Sequence, residues 1–134
     1  MTGTLFHRLN GARLLIVGVL FAALFLRDDR IVAQDVLKVS PETHAVILEN
    51  AHVRVLDVRL KPGEEVALHS HPHNVIYYLT DGELRLTSAE GRTEDRTVKA
   101  GTAVWSEASV HAAGNLGSSD FHEVQIELKD SGQR

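Results

Sequence analysis

After Pro41 the chain settles into short runs in which apolar and polar residues alternate, the period of a half-buried β-strand. Val53 and Val55 share one parity, and Leu56, Val58 and Leu60 share the other. That switch predicts a bulge or bend near Val55-Leu56. Lys61-Pro62-Gly63-Glu64 reads as a turn, because Pro fixes φ and Gly accepts a positive φ. Strands are expected over Val66 to His71 and over Val75 to Leu79, the second rich in β-branched and aromatic residues. Asp81-Gly82 is the strongest hairpin signal and would lead back into Leu84 and Leu86. Glu90-Gly91 and Ala100-Gly101 mark turns on either side of Thr93 to Val98. Val104-Trp105 and Val110 to Ala113 read as short strands, and Asn115 to Ser119 as a loop. In Phe121 to Leu128, Val124, Ile126 and Leu128 lie on one face and Glu123, Gln125 and Glu127 on the other. About nine strands result, with turn signals every 8 to 12 residues and no convincing helix after residue 34. The fold class is all-β, and one barrel over residues 34–134 is the simplest arrangement.

The first 33 residues follow another pattern. Arg8 and Arg13 precede Leu14 to Leu26, an apolar run free of charge. A basic segment followed by an apolar stretch of this length is the form of a secretory signal. Cleavage after Ala33 would leave an exported, periplasmic or secreted domain. The alternative is an uncleaved anchor that holds the protein to the membrane by residues 14–26. The chain has no cysteine, so neither a disulfide framework nor a thiolate metal site is open to it. Its net charge of -4 includes no basic block, which argues against nucleic acid as a partner.

The remaining chemistry is in the histidines. His69 and His71 stand two apart on an expected strand, so both side chains point to one face. Two imidazoles facing a core each need a partner, and a shared metal ion satisfies both. His111 lies on a distant short strand that a barrel can bring opposite them. The plainer alternative is three separately satisfied polar side chains. A set of neutral imidazoles with open positions suits Zn, Fe(II), Ni or Cu.

The spacing Gly63-(x5)-His69-Ser70-His71-(x3)-Val75-(x6)-Gly82, followed by Gly101-(x9)-His111-(x3)-Asn115, resembles the two motifs of the cupin superfamily. The resemblance covers about the C-terminal three-quarters of the chain and is strongest from His69 to Gly82 and from His111 to Gly117. It implies a double-stranded β-helix, or jelly-roll, barrel with a divalent metal inside and a homodimer paired through barrel faces. The family's first motif carries a glutamate ligand where this chain has Val75, or Ile76 in the longer spacing. Glu107 and Ser109 also stand where proline and glycine are common. The acidic ligand is therefore missing, and His73, of the same parity as His69 and His71, is a candidate replacement.

Val75 and Tyr77 share parity and are expected to line the cavity, with Tyr78 pointing outward. Glu107, Gln125 and Glu127 are candidates to support the ligands or act as a base. Trp105 reads as a core or dimer-interface anchor, and His44, His52 and His122 as surface residues. The resemblance is to short exported cupins without an assigned reaction. Dioxygenase, isomerase and lyase chemistries all occur in that superfamily, and fold does not choose among them. A non-enzymatic binding or sensing module, or a structural role in the cell envelope, are the alternatives.

Overall fold

The computed structural model describes residues 33–129. The expected signal or anchor segment lies outside the described residues except for Ala33, as do residues 130–134. The described residues form ten strands and one helical turn. In order these are β1 (Gln34–Asp35), α1 (Val36–Val39), β2 (His44–Glu49), β3 (Val53–Leu60), β4 (Glu65–His71) and β5 (Asn74–Tyr78), then β6 (Gly82–Ser88), β7 (Thr93–Val98), β8 (Ala103–Ser106), β9 (Ser109–Asn115) and β10 (Phe121–Leu128). They build two five-stranded sheets, ordered β1-β4-β9-β6-β7 and β2-β3-β10-β5-β8. Apart from the parallel β1–β4 pair, the ladders are antiparallel. The chain crosses repeatedly from one sheet to the other, which is a jelly-roll barrel. No helix among the described residues is long and apolar enough to cross a membrane.

The expected all-β class is what the structure has, with two additions. The two-residue β1 pairs with β4, and α1 follows it because Asp35 accepts a hydrogen bond from Leu37 N at 3.0 Å and caps the turn. Val36 on that turn is fully buried. The expected bulge is in the neighbouring strand. β3 runs in unbroken register against β10, while the β2–β3 register slips between Val46 and Leu48, leaving Ile47 as the extra residue. The parity change at Val55-Leu56 instead records a strand with apolar residues on both faces.

Asp81-Gly82 does not close a hairpin, because β5 and β6 belong to different sheets. Asp81 instead accepts hydrogen bonds from Ala100 N and Lys99 Nζ, both at 2.9 Å, and so braces the turn that leads to β8. Gly82 is required for closeness: a Cβ there would stand 2.5 Å from Cδ2 of Phe121. At Lys61–Glu64 the expected turn forms, and Gly63 takes φ 74°. Asn115 ends β9 rather than opening a loop. Its amide donates to the carbonyls of Leu60 and Ser119 and its Oδ1 accepts from Gly117 N, so it ties β3, β9 and the following loop together.

One end of the barrel is filled by Leu60, Val66, Leu84, Val98 and Phe121, with Leu56, Val58 and Tyr78 further along the interior. Each such side chain contributes about 1.5–3 kcal/mol by leaving water. Strand β10 inverts the usual rule. Phe121, Glu123, Gln125 and Glu127 are buried, while Val124 and Ile126 are half-buried and Leu128 is exposed. The apolar face of β10 joins a cross-strand row on the outer surface, Leu48–Val55–Ile126–Val75–Trp105. Trp105, at its end, is 53% exposed, so within the single chain it is not a core residue.

Candidate metal centre and cavity

Strands β4 and β9 lie side by side with His69 opposite His111, and His71 follows on the same face of β4. The three rings stand 4.7–5.5 Å apart between centroids. One ring nitrogen from each lies within 4.8 Å of the others. His69 and His71 are buried and His111 is half-buried.

Local contacts aim the rings. His69 Nδ1 lies 2.7 Å from the Ala67 carbonyl, which only accepts, so Nδ1 carries the proton. His71 Nδ1 donates to Glu127 Oε1 at 2.6 Å. His111 Nδ1 pairs with Ser109 Oγ at 3.2 Å. In His69 and His71 Nε2 is left with a free lone pair, the state a metal ligand needs, while the Ser109 hydroxyl can accept from His111 Nδ1 and allow the same tautomer there. The His71 Nε2 atom is buried and has no hydrogen-bond partner. Such an atom costs stability unless something meets it. Burial, then the neighbouring rings, pushes His111 down to about 3, and burial lowers His69. His69 and His111 are therefore neutral at physiological pH. An orphaned lone pair within a cluster of three imidazoles fits a divalent transition metal.

Behind His71 runs a chain of charges. Glu127 accepts from His71 and from Arg54 Nε, and Arg54 also donates to Asp35 Oδ2 at 2.6 Å. Burial alone would raise Glu127, but the bonds from His71 and Arg54 outweigh it and hold the carboxyl below its ordinary value. Arg54 is likewise raised by its two carboxylates despite burial. Glu127 so fixes the tautomer and direction of the His71 ring.

The cluster opens on a cavity of about 570 Å³ between the two sheets. Of the residues expected to line it, Gln125 does so from the buried face of β10, and Glu107 stands exposed at its mouth. Val75 and Tyr77 do not: they lie on the outer face of β5, and Asn74, Ile76 and Tyr78 point inward instead. Parity counted from His71 fails because Pro72 and His73 bend the chain between strands of different sheets. Ile76 is thus the inward residue at the position of the absent acidic ligand. His73 does not join the cluster. It stacks on Trp105 with rings 12° apart and sets Nδ1 2.9 Å from Glu107 Oε2 at the rim.

Sequence reasoning missed His44, which is buried rather than on the surface. Its ring lies 6.0 Å from that of His69 and 6.1 Å from that of His71. Burial, then His71 and His69, lowers it to about 4. The available signal was its place at the head of the apolar strand Ala45-Val46-Ile47-Leu48, where β2 begins opposite Val58. Sequence reasoning also missed Glu123, deeper on β10. Gln125 Nε2 donates to it at 2.6 Å, and burial raises its carboxyl to about 7. Of the other two histidines read as surface residues, His52 is exposed and His122 is half-buried against Asp57.

A jelly-roll barrel with histidines clustered between its sheets defines a small β-barrel protein with an interior binding site. The cupin domain pattern matches residues 56–126, and the chain belongs to the cupin domain family. It is 37% identical over 86 residues to the β-alanine degradation protein BauB of Pseudomonas aeruginosa, an alignment covering 63% of this chain and 90% of that one. A cupin domain from Bordetella pertussis superposes with TM-score 0.60 at 30% identity, covering 64% of this chain and 91% of the other. A conserved double-stranded β-helix protein from Klebsiella pneumoniae gives TM-score 0.54 at 26% identity, covering 67% and 78%.

Proposed function

We propose that His69, His71 and His111 hold one divalent transition metal, Zn, Fe(II), Ni or Cu, and that the protein acts on a small molecule bound in the cavity beside it. The observation that carries this reading is the buried, partnerless Nε2 of His71 inside a cluster of three imidazoles. Glu127 and Ala67 hold the His71 and His69 rings in the ligating tautomer, and Leu60, Val66, Leu84 and Phe121 give the cavity an apolar lining. A metal held by neutral ligands supplies Lewis acidity toward an oxygen-bearing ligand. Isomerase and lyase reactions draw on that property, and a dioxygenase reaction would need a redox-active metal such as Fe(II) as well. The relative named for β-alanine degradation puts small amino acids and their derivatives first in a substrate screen.

The second reading is a ligand-binding cupin without turnover, favoured by Ile76 at the position of the family's acidic ligand. Elemental analysis of the full chain, purified at neutral pH without chelator, separates the two. Near-stoichiometric metal that vanishes in His69→Ala/His111→Ala supports the first. A chain that takes up none of the four metals when they are added supports the second.

Two features of the sequence extend the proposal. Export is supported by Arg8, Arg13 and the run Leu14 to Leu26, and cell fractionation tests it. Pairing of two copies is supported by the outer row from Leu48 to Trp105, and a monomer in sedimentation at micromolar concentration would remove it.

A further inference from the structure

The wall facing the histidines has unusual chemistry. Three inward positions of β10 are Glu123, Gln125 and Glu127, and β5 adds Asn74 beside Glu127, Ile76 beside Gln125 and Tyr78 beside Glu123. Glu127 is satisfied by His71 and Arg54. The others are not. Gln125 spends its amide on Glu123 and Asn74 spends its own on the Pro72 carbonyl. Gln125 Oε1 and Asn74 Oδ1 are then buried acceptors without a donor. Glu123 is a buried carboxyl whose one hydrogen-bond partner among the described residues is Gln125. The cations that line the cavity are Arg92 and Arg96. Arg96 directs Nε and one terminal nitrogen at Glu94, and Arg92 is 84% exposed beside Glu90. Tyr78 supplies the one hydroxyl beside Glu123 in the ladder. Two orphaned acceptors and a carboxyl with no countercharge call for a donor-rich, cationic guest.

We propose that Glu123, Gln125 and Asn74 form the recognition wall for the protonated amine of a small ligand, whose oxygen-bearing end faces the histidine cluster. The inference rests on the reading of the cavity as a small-molecule site and names the class of ligand: a short amino acid with its amine at the far end from the carboxylate. Successive inward residues on β10 are about 7 Å apart, so Glu123 lies about 14 Å along the strand from Glu127, with the level of Gln125 midway, and a series of chain lengths reads which span the cavity takes. The proton on Glu123 is then exchanged for the ligand's cation: an ammonium bound there favours the ionised carboxylate. Burial lifts the free carboxyl to about 7, so near neutral pH about half of the chains carry the proton that the guest would displace.

The test is calorimetric titration of the full chain, first with zinc alone, then with pairs of near-equal shape: 3-aminopropanoate against butanoate, 4-aminobutanoate against pentanoate, 5-aminopentanoate against hexanoate. At least one amine should bind about tenfold or more tighter than its methyl counterpart, and Glu123→Gln should cut that preference below about threefold. The wild-type comparison alone decides the matter should the variant fold poorly. Zinc binding with no amine preference at any length, or a preference that survives Glu123→Gln, overturns this inference and leaves the metal reading intact. No zinc binding, but an amine preference lost in Glu123→Gln, supports it and removes zinc from the metal reading. Binding of every amine weaker than about 10 mM, with or without zinc, overturns it.

Discussion

Glu127 and Glu123 lie four residues apart on one buried face of one strand, yet their surroundings drive them in opposite directions. Glu127 is held below its ordinary value by His71 and Arg54, against the opposing effect of burial. Glu123 has Gln125 and nothing charged beside it, and burial raises it to about 7. Depth alone therefore does not set the charge of a buried carboxyl; its partners do. The level of Glu127 is an ionic support behind His71 of the three-histidine cluster. The level of Glu123 is a recess lined by unpartnered acceptors, with a carboxyl that burial keeps partly protonated near neutral pH. A single strand so gives the cavity two chemically distinct ends.

The sharpest way to break the contrast is to remove the cation. Arg54→Met should leave Glu127 with His71 as its one remaining partner and cost about 3–5 kcal/mol, the penalty for stranding a buried charge. Urea denaturation at pH 7 measures it. Metal affinity should fall in parallel, because Glu127 would no longer be fixed behind His71. Adding Glu127→Gln to that variant should recover part of the stability. A cost under about 1 kcal/mol would mean that the Asp35–Arg54–Glu127 chain contributes little.

The opposite change, at Glu123, should stabilise. The ordinary carboxyl value is 4.5 and the folded value is about 7. The folded chain thus keeps a proton that the unfolded chain gives up between those limits. Stability from this group is complete below pH 4.5 and is lost as pH rises through 7. The gap between the two values corresponds to about 3 kcal/mol above pH 7. Glu123→Gln should therefore raise stability at pH 8 by about 2–3 kcal/mol and flatten the slope between pH 4.5 and 7. A variant that follows the wild-type pH profile would show that Glu123 is not the group responsible.

Much of this arrangement was legible in the chain. An H-x-H pair on a strand fixes two rings on one face, and a third histidine in a second glycine-framed segment needs the two strands to be neighbours and nothing more. The alternation of Glu123, Gln125 and Glu127 with Val124, Ile126 and Leu128 was equally plain. Which of those faces turns inward was not, because the outer surface carries its own apolar row from Leu48 to Trp105. Period-two counting is a local rule, and it failed at Pro72-His73, where the chain changes sheets. That failure exchanged the roles of Tyr77 and Tyr78. His44 was hidden for a related reason: the rings it lies beside, His69 and His71, are remote in sequence, and its place at the head of an apolar strand does not say that β2 reaches them.

The floor under Glu123 offers a gentler probe of the same contrast. Phe121, the next inward residue of β10, packs its ring against Gly82. Gly82→Ala should displace that ring and cost about 1–3 kcal/mol. If desolvation from this floor holds Glu123 up, the midpoint of its titration, followed by carboxyl-selective NMR, should move toward 4.5 in the same variant.

The smallest effect should come from the rim, where a second histidine–carboxylate pair stands for comparison with the first. His71 and Glu127 meet at 2.6 Å with side chains 1% and 2% exposed, whereas His73 and Glu107 meet at 2.9 Å with 46% and 74% exposed. Water screens the second pair and supplies its hydrogen bonds when it parts. His73→Ala should therefore change stability by less than about 1 kcal/mol. It should leave metal content at the wild-type level, since the ring stacks on Trp105 and stands apart from the three-histidine cluster. Loss of metal in that variant would return His73 to the ligand set and would mean that the rim closes over the cavity when the metal binds.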